Sequence, residues 1–148
     1  MEAMSREARD RELEAQRLAQ ELTYLRQALE ALQSRATALA TLRESLNSAK
    51  EVLEELKRRS EGDEILVPIG GGVYVLASVR KVDYVLVQLG ARYAIEKKVD
   101  DAIKYIDERI GEVDDALRRT QQQMSEVSSR MTHIESQIRR ILGELEQR

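Results

Sequence analysis

Apolar residues fall at Leu18, Leu22, Leu25, Leu29, Leu32, Ala36 and Leu39, in alternating steps of four and three. That is the seam of a helix built to pack along another helix. The steps slip once, with two threes in succession through Ala36, Leu39 and Leu42, and then resume through Leu46, Ala49, Leu53 and Leu56. A slip of this kind overwinds a supercoil locally. Helix formers run from about Ser5 to Arg59, where Lys57, Arg58 and Arg59 suit the negative end of the helix dipole, and Gly62 is expected to end it. A second seam has no slip: Val99, Ile103, Ile106, Ile110, Val113, Leu117, Thr120, Met124, Val127, Met131, Ile134, Ile138, Ile141 and Leu145, with Thr120 its one polar member. Asp100 and Asp101 open this helix and Arg139 and Arg140 lie near its end, each sign where the dipole favours it.

Between the seams the pattern changes to Val, Ile, Leu and Tyr punctuated by Gly, which is strand chemistry. The spacing predicts strands over 64–69, 73–79, 83–89 and 91–97, forming two hairpins that turn at Gly70-Gly71-Gly72 and near Gly90. Alternation sets Val73, Val75, Ala77 and Val79 against Tyr74, Leu76 and Ser78, so both faces are largely apolar. Four short strands of this kind cannot bury themselves, and strands of other chains are expected to complete the sheet. The residues singled out for assembly are Ile65, Val67, Ile69, Val73, Val75, Val85 and Val87. Pro68 lacks a ladder donor and belongs at an edge or beside a bulge.

The fold class that follows is α+β. A long antiparallel coiled-coil helical hairpin carries two β-hairpins between its helices, in segments 1–61, 62–98 and 99–148 of one domain. At about 1.5 Å per residue each helix of roughly 50 residues would reach about 75 Å, so rods are expected, with the sheet at their base and both chain termini at the far tip.

Composition narrows the function. The 27 acidic and 24 basic residues leave a formal charge of -3, whereas a nucleic-acid face needs a basic excess. The five tyrosines stand without Phe or Trp, and 34% of residues are charged, a composition of long helices rather than of a globular core. Cysteine is absent and His133 is the one histidine, which removes thiolate chemistry and leaves no constellation for catalysis or a metal. Gly70-Gly71-Gly72 lacks the Lys-Ser or Lys-Thr of a phosphate loop and reads as a turn. Asp100, Asp101, Asp107, Glu108, Asp114 and Asp115 are interleaved with bases and read as helix surface. No apolar run approaches a membrane span and the N-terminal residues are charged. The expectation is a soluble cytoplasmic protein, not an enzyme, with no cofactor, metal, nucleic acid or membrane.

The order helix, two hairpins, helix, with EILVPIGGGVYV followed by KVDYVLVQLGARYAIEKKVDDAI, resembles the alpha-type subunits of prefoldin, a chaperone family. Family members often carry Gly where Arg92 stands. The resemblance implies a hexamer of two alpha and four beta subunits, its hairpins merged into a double β-barrel with helical arms. It also implies that non-native polypeptides are held without nucleotide and passed to a group II chaperonin. On that reading the arm tips hold the client, through Met1, Met4, Leu13 and Leu18 of one helix and Ile138, Ile141, Leu142 and Leu145 of the other. Leu142 adjoins the seam residue Ile141 and widens the apolar stripe. The competing reading is a structural or tethering coiled-coil protein oligomerised through its β region.

Overall fold

The computed structural model describes residues 2–147, with the backbone alone for residues 2–5. Helix α1 (Glu2–Leu56) is followed by strands β1 (Glu64–Gly70), β2 (Val73–Ser78), β3 (Tyr84–Gly90) and β4 (Tyr93–Lys98), and then by helix α2 (Val99–Glu146). The chain divides into two compact units, residues 1–40 with 115–148 and residues 41–114. In α1 the division falls within the slip between Leu39 and Leu42.

In the first unit the two seams meet. Leu18, Leu22, Ile134 and Ile141 are buried together, with Ala15, Leu25, Met131, Ile138 and Leu145 packed against them. Arg11 pairs with Glu144 at 3.5 Å and Arg130 with Glu21 at 3.0 Å, so α1 and α2 run antiparallel here. Thr120 is buried at its seam position, and its hydroxyl donates to the carbonyl of Ala116 at 2.8 Å. The helix's own backbone thereby satisfies a polar group that burial would otherwise penalise.

In the second unit Leu46, Val79, Val99, Ala102 and Val113 are buried, and ions reinforce the helix pair. Arg43 meets Asp114 at 2.6 Å, Lys50 meets Asp107 at 2.8 Å and Lys57 meets Asp100 at 2.6 Å. Each rung is one heptad from the next on both helices, so the same face of each helix is presented at every rung. Asp107 and Asp114 raise the Lys50 and Arg43 cations above their ordinary values through hydrogen bonding and charge. The hydrogen bond and charge of Lys57 likewise hold the Asp100 carboxyl below the usual carboxylate range.

Helix α1 stops at Leu56, earlier than the basic run suggests. The N–H groups of Arg58 and Arg59 turn back to the carbonyls of Glu55 and Leu56 at 3.0 and 3.1 Å, the tighter step of a closing turn. Gly62 does not end the helix. It adopts a φ of 90° and donates to the carbonyl of Val79 at 2.7 Å, where it begins the hairpin ladder instead.

The strands form two separate two-stranded antiparallel sheets, β1 with β2 and β3 with β4. Val67 lies opposite Val75 and Val87 opposite Ile95, and each register shifts once, between Pro68 and Gly70 and between Gln88 and Gly90. Pro68 thus stands beside a bulge, one of the places in a sheet that suit a residue without an N–H donor. The first turn uses Gly70, Gly71 and Gly72 at positive φ, whereas the second turn, Ala91-Arg92, needs no positive φ at all. Arg92 therefore fits a turn that does not demand glycine. Helix α2 follows β4 directly, with the Val99 N–H held by the carbonyl of Asp83 at 3.0 Å.

Two outcomes follow from this packing. Ile134 has no exposed surface, so Ile134→Ala is expected to cost about 2–5 kcal/mol in denaturant unfolding; a change below about 1 kcal/mol would contradict the packing described. Because the Asp100 carboxyl is lowered, its contribution to stability is present at neutral pH and is lost as the pH falls through its lowered value. In an NMR titration Asp100 should ionise below the ordinary value of about 3.9, and Lys57→Ala should bring it up; an unmoved titration would contradict the ion pair.

Candidate functional site

Residues opposite one another on paired strands share a face of the sheet. In the first hairpin Ile65 with Ala77 and Val67 with Val75 occupy one face, while Leu66 with Leu76 and Pro68 with Tyr74 occupy the other. In the second hairpin Val85 with Lys97 and Val87 with Ile95 lie on one face, and Leu86 with Glu96 on the other. All seven residues named for assembly lie in these two hairpins. Ile65, Val67, Ile69, Val73 and Val75 are exposed, and Val85 and Val87 are half-buried.

The half-burial of Val85 and Val87 has a local cause. They line a groove of about 870 Å³ with Val52, Leu53, Tyr105 and Ile106 of the two helices. The Lys97 ammonium stands 4.9 Å from the centre of the Tyr105 ring, and the Arg109 guanidinium reaches the Tyr105 hydroxyl at 3.5 Å. These two valines therefore serve their own chain's packing as well as any partner's.

Other apolar residues of the hairpins are exposed as well. Leu76 is 70% and Leu86 71% exposed, and Leu66, Tyr74, Leu89 and Tyr93 are also well over half exposed. None of the six was named for assembly from the sequence. The signal is present in the sequence, because alternation sets Tyr74, Leu76 and Leu86 on a second apolar face, opposite Val73, Val75, Val85 and Val87. Neither sheet has a third strand among the described residues, so each keeps two unpaired edges as well as its apolar surface.

Of the residues named for the arm tips, Met1 and the side chain of Met4 lie outside the described residues. Leu18 and Ile141 are buried in the interhelical core, with Ile138 and Leu145 packed against it. Leu13 and Leu142 are 62% and 48% exposed, and the Arg11–Glu144 pair sets the chain around them at one level of the first unit. Leu13 and Leu142 thus present apolar surface as the helices stand, whereas the other four do so only where the helices part.

Other chemistry is dispersed. His133 is solvent-exposed. Asp100, Asp107 and Asp114 are rungs of the ion ladder, and Asp115 pairs with Arg118. No helix among the described residues is long and apolar enough to cross a membrane.

Comparison with known proteins places these features. The family model described as "Prefoldin subunit" matches residues 25–144. "Prefoldin subunit alpha" of Thermofilum pendens is 36% identical over 94 residues, which is 64% of this chain and 73% of that protein. The protein of the same description from Thermococcus onnurineus is 38% identical over 104 residues, 70% of this chain and 71% of the relative. Among solved structures, a chain of filamentous PFD from Methanocaldococcus jannaschii, determined by cryo-electron microscopy, superposes with a TM-score of 0.69 at 24% identity. The match covers 80% of this chain and 98% of the other, and it shows the same helix, double-hairpin, helix fold.

The two classes of hairpin residue separate in one comparison. Leu76→Asp should abolish association through the hairpins while leaving helix content by circular dichroism unchanged, because Leu76 touches solvent on its own chain. Val85→Asp should lower thermal stability as well, since it puts a charge into the half-buried groove. Intact association in both variants would contradict the assignment of these faces.

Proposed function

The chain belongs to the prefoldin family, as an alpha-type subunit, and from that membership we propose that it is one of two alpha subunits in a heterohexamer with four beta subunits, an ATP-independent holdase of the cytoplasm. As a prefoldin subunit it has a chaperone role and assembles with other prefoldin subunits. In the proposed assembly its two hairpins merge with partner strands into a double β-barrel. Its coiled-coil ends hold non-native polypeptides and release them to a group II chaperonin.

The observation that carries this reading is the pair of two-stranded sheets with open edges and with Leu66, Leu76 and Leu86 exposed. A lone hairpin is marginal in water. Partner strands remove both liabilities at once, covering apolar surface and pairing the free edge groups. Leu13 and Leu142 support the client-holding role, for they are large, apolar and exposed near the helix ends. Weak contacts of this size at several arms hold one chain through effective concentration, with no strong site on any arm. Such holding needs no nucleotide, because binding and release follow the client's own exposed apolar surface.

Client holding is tested on the full chain assembled with an archaeal beta-type subunit. The complex should keep several unrelated denatured proteins from aggregating without ATP. The double variant Leu13→Ser, Leu142→Ser should weaken that protection several-fold while the mass by light scattering stays unchanged. Undiminished protection would remove the tip assignment. A complex that ignored every denatured protein and bound one folded partner would overturn the holdase in favour of a tether.

A further inference from the structure

Two features of α2 weaken the closed helix pair around Ile138 and Ile141. The first is Gln137, one residue before the seam residue Ile138. It is half-buried, and its side-chain Oε1 is buried without a hydrogen-bond partner. Most buried polar atoms are paired, and an unpaired one disfavours the closed state because water would otherwise solvate it. Thr120, buried farther back along α2, shows the usual remedy in its bond to the Ala116 carbonyl. Gln137 Oε1 has no such acceptance.

The second feature is Gly143, inside α2 and two residues beyond Ile141. It has no positive φ, and a methyl group added to it would point into open space. Neither backbone conformation nor close approach within this chain calls for glycine here. Glycine is nevertheless a poor helix former, because its backbone gains the most freedom when the helix unwinds. Just beyond it lie Glu144, paired with Arg11 at 3.5 Å, and Leu145, packed against the interhelical core. An exposed ion pair of that kind adds little closure of its own.

We propose that Gln137 and Gly143 set how readily α2 parts from α1 at this end, and through that opening how firmly a non-native polypeptide is held. The proposal rests on the client-holding reading above and deepens it by naming the residues that regulate the site. With the helices closed, Leu13 and Leu142 are exposed, while Leu18, Ile138, Ile141 and Leu145 belong to the core. Parting the helices offers those four to a client and lets Gln137 Oε1 accept from water or from a client's peptide N–H. When the competent state is a minor one, apparent affinity falls with its population. A weak closure therefore keeps the surface covered in the absence of a client and leaves it within reach of one.

Three variants are compared in the complex of the full chain with an archaeal beta-type subunit. Gln137→Leu removes the unpaired oxygen, and Gly143→Ala restores helix propensity. Gly111→Ala makes the same change elsewhere in α2, where a methyl group also meets open space. Amide hydrogen exchange over residues 137–146 should slow about fivefold in Gly143→Ala and at least about fivefold in Gln137→Leu. The concentration of complex that keeps a denatured protein from aggregating should rise at least about twofold in both, as the open state is depopulated. Gly111→Ala should leave both readouts at their wild-type values. Gln137→Leu makes the site more apolar, so weaker holding in that variant cannot come from lost apolar surface.

Unchanged exchange in either tip variant would overturn the proposal, as would slowed exchange with undiminished or tighter holding. An equal effect of Gly111→Ala would overturn it too, by tying holding to overall helix stability instead of to this end. Where circular dichroism shows that Gln137→Leu has lost helix, Gly143→Ala decides alone. A wild-type complex that holds no denatured protein sinks the client-holding reading itself, whereas one that holds clients equally well with the ends closed sinks this inference only.

Discussion

A strand has hydrogen-bonding groups on both sides, and a two-stranded sheet can satisfy only its inner ones. Everything between residues 64 and 98 is governed by that shortfall, since the two sheets here share no strand and each ends in open edges. Apolar side chains on both faces make the shortfall more severe. Water can solvate a bare edge, but it offers nothing to Leu76 or Leu86, which stand more than two-thirds exposed. Leu66, Leu76, Leu86 and Tyr93 stand on surfaces that the rest of the same chain leaves largely uncovered. Assembly with other prefoldin subunits is the physical counterpart of that exposure.

The helices solve the complementary problem of register. In the first unit the seam is carried by shape, with Ile134 and Ile141 set among Leu18 and Leu22 and a single hydroxyl bonded back to its own helix. In the second unit three cation–carboxylate rungs recur at heptad intervals. Exposed ion pairs add little stability individually, yet a one-heptad slide between the helices would leave an end rung without its partner, and any smaller slide would misplace all three. Their use is alignment. The bottom rung, Lys57 with Asp100, joins the chain just past the end of α1 to the first turn of α2, so it fixes the span from which the hairpins leave and to which they return.

Much of this was legible in the residues themselves. The heptads, the change to strand chemistry after Glu64 and the acidic opening of α2 each express a local preference that the fold obeys, and the strand ends moved by only a residue or two. The bulge beside Pro68 was legible for the same reason, because a missing N–H is a property of one residue. The end of α1 was not. Lys57, Arg58 and Arg59 are good helix formers, but the hairpin claims Gly62 through its bond to Val79, and the chain must leave the helix earlier to reach it. The most exposed hairpin residues were missed because alternation assigns side chains to faces without saying which face its own helices will shade. Only the groove beneath Val85 and Val87 settles that. At the helix ends the heptads mark Leu18 and Ile141 as seam positions and leave Leu13 and Leu142 off them, and the structure buries the first two and exposes the others.

The central claim is that partner strands complete these sheets, and amide hydrogen exchange tests it most directly. The outward N–H groups of β1–β4 should exchange rapidly in dilute chain alone and become protected by orders of magnitude in the complex with a beta-type prefoldin subunit, while the α2 amides change little. Outward strand amides that exchange equally fast in both states would mean that the sheets stay open, and would contradict the account.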